Sequence, residues 1–339
     1  MKGNISSGKR KGLDAVSDSR GIIAAVAIDQ RSALRSLFAR SMGIESENVA
    51  AEKLIQFKEA VSRILTPHAS AILLDPEFGL PAARHRAKSA GLLLAYEKTG
   101  YDKNVPGRLP SLLDRWSVER LAAAGADSVK LLLYYSSLSS AEINDFKHAF
   151  VQRVGAECTA ADMPFFLELV SYAEGMEDKG IDFARVKPEV VTHGMAEFSK
   201  PEYRVDVLKV GVPVNLNYLQ GSPSVSGEIL YTREEAQRHF QRATECAKVP
   251  FIYLSEGVSN EAFLHALELA AEAGAKFSGV LCGRATWKEG VPIFVEKGRA
   301  ALEDWLGSEG IRNVENVNQR LVAATPWFAI YGASAKQRV

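Results

Sequence analysis

A chain of 339 residues with 47% hydrophobic residues has enough apolar material for one large α/β core, and its 41 basic and 41 acidic side chains balance. The balance excludes a chain built as a whole to bind nucleic acid or an anionic membrane, so any anion binding must be local. Three cysteines, Cys158, Cys246 and Cys282, stand without CxxC spacing, and an odd count fits a reducing, cytoplasmic setting better than a disulfide framework.

The N-terminal stretch MKGNISSGKRKG is basic but has no apolar leader region, and no later apolar run reaches the roughly 20 residues of a membrane span. No leader and no membrane anchor are expected, and residues 1–11 are expected to form a disordered or frayed arm. GKRK within that arm is read as a solvated patch, too short for a nucleic-acid footprint. The first strand-like run is GIIAAVAID at 21–29, followed by SALRSLFARS and VAAEKLIQFKEAVSRIL with apolar residues near helical spacing. SAILLD at 70–75 and GLLLAYE at 91–97 come next. WSVERLAAAG then leads into DSVKLLLYY at 127–135, and AEINDFKHAFVQRVG into PFFLELVSY at 164–172. DVLKVGVP at 206–213, PFIYLSEG at 250–257 and FSGVLCGR at 277–284 complete a set of eight, interleaved with REEAQRHFQRATECAK and NEAFLHALELAAEAG.

Strand alternating with helix implies parallel strands joined by right-handed crossovers, and eight of them close a barrel. The expected fold is a single-domain α/β protein, a (β/α)8 TIM barrel over residues 12–339. Helix-end glycines in AAAGAD at 122–127 and AEAGAK at 271–276 fit short turns into the next strand. From about Val314, ENVNQRLVAATPWFAIYGA reads as a final helix and an aromatic tail that either covers the barrel bottom or pairs with another subunit. LNYLQGSPSVSGEILYT at 216–232 is a loop with no assigned place.

In such a barrel the site lies at the C-terminal ends of the strands, so the polar residues there are the candidates. They are Asp29 and Gln30, Asp75 and Glu77, Lys130, Glu168, Lys209, Ser255 and Glu256, and Gly283 and Arg284. Asp29 and Asp75 also fit as caps of the helices that follow, and Glu77 as a loop carboxylate. Lys130, Glu168 and Lys209 lie inside apolar runs, where a structural account must pair them with one another. The functional account is that a lysine held out of water becomes an amine able to attack a carbonyl. Ser255, Gly257, Gly283 and Arg284 offer a hydroxyl, close backbone approach and a guanidinium to a phosphate. His68, His85, His148, His193, His239 and His265 show no HxH or HExxH spacing, so no metal site is expected. No GxGxxG, Walker loop or serine elbow occurs, and no cofactor is expected.

Six stretches carry a resemblance: AAVAIDQRSALRSL, ILLDPEFGLPA, WSVERLAAAGADSVKLLLYY, FFLELVSY, DVLKVGVPVN and GVLCGRATWKEGV. From about Gly21 to just past Trp287 the chain resembles the class I tagatose-bisphosphate aldolase family, whose members form a Schiff base and use no metal. The resemblance implies Lys209 as the Schiff-base lysine, Glu168 as the acid/base group and Lys130 as an assisting lysine. It further implies Asp29 and Gln30 on substrate hydroxyls, and Ser255, Leu281, Gly283 and Arg284 on a phosphate. The implied reaction cleaves a phosphorylated ketose such as tagatose 1,6-bisphosphate into dihydroxyacetone phosphate and glyceraldehyde 3-phosphate. Sulfofructose phosphate aldolases resemble this family too, so 6-deoxy-6-sulfofructose 1-phosphate is the alternative substrate; a non-catalytic sugar-phosphate-binding regulatory barrel is the alternative function. Arg31 or a residue of the 216–232 loop is expected to meet the distal anion, phosphate or sulfonate. A phosphorylated sugar is the expected partner, with no nucleic acid, no membrane and a homo-oligomeric assembly.

Overall fold

The computed structural model describes residues 5–99, 101 and 105–332. All eight expected runs are strands: β1 Ile23–Ala27, β2 Ala71–Leu74, β3 Gly91–Ala95, β4 Ser128–Tyr135, β5 Phe165–Ser171, β6 Val207–Val210, β7 Phe251–Tyr253 and β8 Gly279–Cys282. Each lies parallel to its sequence neighbours, and β8 closes on β1 into a barrel.

Alternation along the strands divides the apolar residues into two cores. Ala25, Leu73, Leu93, Phe166, Val207 and Ile252 fill the barrel interior. Val26, Leu94, Leu131, Leu167, Leu208 and Val280 face the surrounding helices. The register carries this parity around the barrel: Ala95 pairs with Lys130, Lys130 with Phe166, Glu168 with Lys209 and Lys209 with Ile252. Lys130, Glu168 and Lys209 therefore point inward, above an apolar floor. A step of two beyond the inner residues Ala27, Leu73 and Ala95 reaches Asp29, Asp75 and Glu97.

The expected N-terminal arm is corrected in part. Ser7–Val16 is a helix, and its Leu13 and Val16 are fully buried in the inner cluster. Lys9 reaches Asp206, just before β6, at 2.7 Å. The segment reads as an arm because few of its residues are apolar and its ionic partner lies 197 positions away. Residues 1–4 of that arm lie outside the described residues.

The aromatic tail closes the same end, the first of its two expected roles. Trp327 is fully buried in the inner cluster, its backbone N–H donates to Gly21 O at 3.0 Å and its indole to Ser17 Oγ at 3.3 Å. The Tyr331 hydroxyl donates to Asp206 O at 2.7 Å. The unplaced loop at 216–232 lies at the opposite end. It opens with the 3-10 turn Leu216–Tyr218, bridges Leu219 to Tyr231, and ends on Thr232, whose side chain and Glu235 form a capping box for the helix Arg233–Cys246.

Candidate active site

The strand ends open into a cavity of about 590 Å³, within the usual range for a small-molecule site. Its floor is ionic. The Lys130 ammonium lies 2.8 Å from Asp29 Oδ2, 2.7 Å from Glu97 Oε1 and 2.8 Å from Glu168 Oε2. Lys209 donates to the same Glu168 Oε2 at 2.8 Å. The two lysine nitrogens thus share one oxygen, and all five groups are buried.

Burial alone would favour neutral forms, but the pairing outweighs it. Burial pulls Lys130 down, yet Asp29, Glu168 and Glu97 raise it well above the usual lysine value, so it stays charged. Burial pushes Glu168 and Asp29 up, and the neighbouring lysines more than reverse this, leaving both below the ordinary carboxylate range. Asp29 is therefore part of this cluster and not the helix cap that its sequence also fitted; the helix Ser32–Met42 has Arg31 before it and no side-chain cap. Asp75 pairs with the buried Lys58 and accepts from Phe78 N at 2.7 Å in the turn after β2; it is not the expected cap, because the helix Leu80–Ala83 follows Gly79 and has no side-chain cap. Glu77 is a loop carboxylate that takes Arg31 Nη1 at 2.8 Å.

The remaining expected residues divide. Asp29, Gln30, Glu168, Ser255 and Arg284 line the cavity. Gly283 lies behind Gln30, whose amide nitrogen is 3.5 Å from where a Cβ at 283 would stand. Leu281 is not brought to the cavity: it is 1% exposed in the inner cluster, level with Ala25 on β1 and below the ionic layer. Arg31, expected as a candidate for a distal anion, lines the cavity but is buried, with Nη2 on Glu97 O at 2.7 Å. Arg284 packs on the backbone of Gly257, and among the described residues its guanidinium has no ion-pair partner. It is available for an anion.

Glu97 is the functional candidate that sequence reasoning missed. The signal was the parity of GLLLAYE, in which Leu93, Ala95 and Glu97 share one face. Among the described residues no group of three or more His, Cys, Asp or Glu is arranged to hold a metal ion. An ammonium occupies the centre of the three carboxylates instead. Among those residues, too, no helix is long and apolar enough to cross a membrane.

Residues 23–289 match the sequence profile of the DeoC/LacD family aldolase. Tagatose 1,6-diphosphate aldolase 2 of Enterococcus faecalis is 52% identical over 327 residues, spanning 96% of this chain and 97% of its own. Tagatose 1,6-diphosphate aldolase of Staphylococcus aureus is 48% identical over 324 residues, spanning 95% and 98%. Among solved structures, an archaeal fructose-1,6-bisphosphate aldolase, its catalytic Lys bound to the carbinolamine intermediate of the substrate, gives a TM-score of 0.53 at 17% identity, covering 89% of this chain and 96% of its own. That likeness shows the barrel fold.

Proposed function

This chain belongs to the DeoC/LacD family of aldolases, and from that premise we propose that it is a class I aldolase in which Lys209 forms a Schiff base with tagatose 1,6-bisphosphate. The products are dihydroxyacetone phosphate and glyceraldehyde 3-phosphate, and the reaction is reversible. The names of the relatives support the substrate. The observation that carries the chemistry is the Lys209–Glu168 hydrogen bond of 2.8 Å beneath the cavity, an amine and a carboxylate placed to exchange a proton.

Addition requires the lone pair of the amine, and the proton of Lys209 leaves on Glu168. The amine attacks the C2 carbonyl, and the carbinolamine loses its hydroxyl as water, protonated by Glu168. The resulting iminium accepts the electron pair of the C3–C4 bond while a carboxylate removes the C4 hydroxyl proton. Glyceraldehyde 3-phosphate departs, the enamine is protonated at C3, and water releases dihydroxyacetone phosphate. Lys130 keeps its charge through the cycle and fixes Asp29, Glu97 and Glu168 around the reacting carbons. Arg284 and Ser255 hold the phosphate next to the ketone, which sets the carbonyl within reach of Lys209.

Borohydride reduction in the presence of dihydroxyacetone phosphate tests the assignment. The expected result is a single covalent adduct, mapped by mass spectrometry to Lys209 and absent in Lys209→Met. An adduct on Lys130, or none while cleavage of tagatose 1,6-bisphosphate proceeds, would overturn it.

A further inference from the structure

Glu256 stands one residue from the glycine on which the guanidinium reserved for a phosphate rests. It follows Ser255 directly, lines the same cavity as Arg284, and precedes Gly257, on whose backbone the Arg284 guanidinium rests. A Cβ at Gly257 would stand 2.7 Å from Arg284 Cζ. A carboxylate one residue away is well placed to form a fork pair with that guanidinium, which would fill the phosphate seat with a protein anion.

It does not do so, and three features hold it elsewhere. Glu256 has φ +47° and Gly257 φ +76°, two successive left-handed residues, the first of a type that rarely adopts that conformation. The Glu256 carboxylate is laid against the backbone of Gly211, two residues beyond Lys209, where any Cβ would overlap it. Lys187, on the helix Ile181–Phe198, takes Glu256 Oε2 at 2.8 Å and also donates to Val214 O at 3.4 Å. Lys187 is only 6% exposed, lines the cavity, and has no part in the carbon–carbon chemistry.

We propose that Lys187 is a positioning residue: it holds Glu256 away from Arg284 and so keeps the phosphate seat open. The inference rests on the reading of Arg284 as the phosphate-binding group. Removing the Lys187 charge releases a carboxylate within reach of Arg284, and the released carboxylate then competes with the substrate phosphate. Neutralising Glu256 as well removes the competitor.

The test is the concentration of dihydroxyacetone phosphate that half-saturates borohydride trapping, compared with that of unphosphorylated dihydroxyacetone. Lys187→Met is expected to raise the value for dihydroxyacetone phosphate by about tenfold, the worth of one charge-assisted hydrogen bond, and to leave dihydroxyacetone unchanged. Lys187→Arg should retain the wild-type values. The double variant Lys187→Met with Glu256→Gln should return the phosphate preference to near wild type, a rescue that a loosened fold would not give. A double variant as weak as Lys187→Met, or equal losses for both probes, overturns the inference alone. A wild type that traps neither probe, or an Arg284→Ala variant with wild-type preference for the phosphate, overturns the reading of the site and this inference with it.

Discussion

Lys130 has three carboxylates within 2.8 Å, whereas Lys209 has, among the described residues, Glu168 alone, and the two lysines answer substitution differently. Replacing Lys130 with Met strands Asp29 and Glu97 in a buried site, and breaking such a network by removing one partner costs about 3–5 kcal/mol. Glu168→Gln keeps the shape but removes a base and the charge that faces both lysines, so it gives up the stability that this carboxylate contributes and lowers the cleavage rate by roughly 10²–10⁴-fold. Urea denaturation fixes the native fraction of each variant: Lys130→Met is expected to lose stability, and Glu168→Gln to lose turnover per native molecule. A Glu168→Gln enzyme with wild-type turnover would move the proton transfers to another group, with Asp29 first. The pH sign follows from the same contacts. Glu168 and Asp29 titrate below their ordinary range, so their contribution is complete above that range and is lost as pH falls through the folded values. Lys130, Glu168 and Lys209 were legible because charge inside an apolar run has so few physical explanations. The place of Leu281 below the cavity and the part played by Lys187 were not. The first looks like any strand leucine, and the partner of the second lies 69 positions away on a loop.

At the level of elements, the loops after β3 and β5 are tied to β4 and to the helix that follows it by an aromatic and cationic stack. Arg108, between β3 and β4, lies 5.1 Å from the ring centre of Tyr134 and 4.4 Å from that of Tyr172, and pairs with Asp178 at 3.0 Å. Lys147, on the helix Ala141–Ala160, donates to the Tyr172 hydroxyl at 3.0 Å and lies 4.9 Å from its ring centre. No carboxylate lies within ion-pair distance of Lys147 among the described residues. Burial therefore pulls its amine from the usual 10.5 down to about 8, against a partial pull upward from Glu174. Between those two values the unfolded chain holds a proton that the native protein has released, so native stability rises with pH across that window. Lys147→Met abolishes this contribution. The expected outcome is a urea midpoint for wild type that gains on that of Lys147→Met as pH is raised from about 8 to about 10. A gap that stays constant would mean that the amine keeps its proton. The strands themselves were readable from apolar runs bounded by helical patterns, because a buried parallel strand permits little else. The ties between their loops were not, since each joins residues remote in sequence whose types are ordinary for a surface.

The whole molecule divides its labour between the two ends of the barrel. The cavity opens at the C-terminal ends of the strands, and the segments 7–16 and 327–331 close the other side: Leu13, Val16 and Trp327 enter the inner cluster, and Lys9 and Tyr331 meet at Asp206. The closed barrel was implied by the count of eight runs, but the plug was not, because SGKRKGLDAV offers so little apolar surface and the tail fitted an intermolecular contact equally well. The packing shows why the tail belongs to its own barrel: Trp327 fills the interior and satisfies both its N–H groups on residues 17 and 21 of the same chain. In barrels of this kind the bottom face serves stability and the top face chemistry. Trp327→Ala removes a fully buried indole and is expected to cost about 3–5 kcal/mol of stability. Its kcat/KM per native molecule, measured well below the melting temperature, is expected to match wild type, because the floor of ionic groups lies above a continuous apolar layer. The two quantities come from one preparation, by urea titration and by steady-state cleavage of tagatose 1,6-bisphosphate. A variant that keeps its stability would show that the plug is dispensable; one whose kcat/KM falls with the native fraction held fixed would show that the apolar layer transmits the state of the bottom to Lys209.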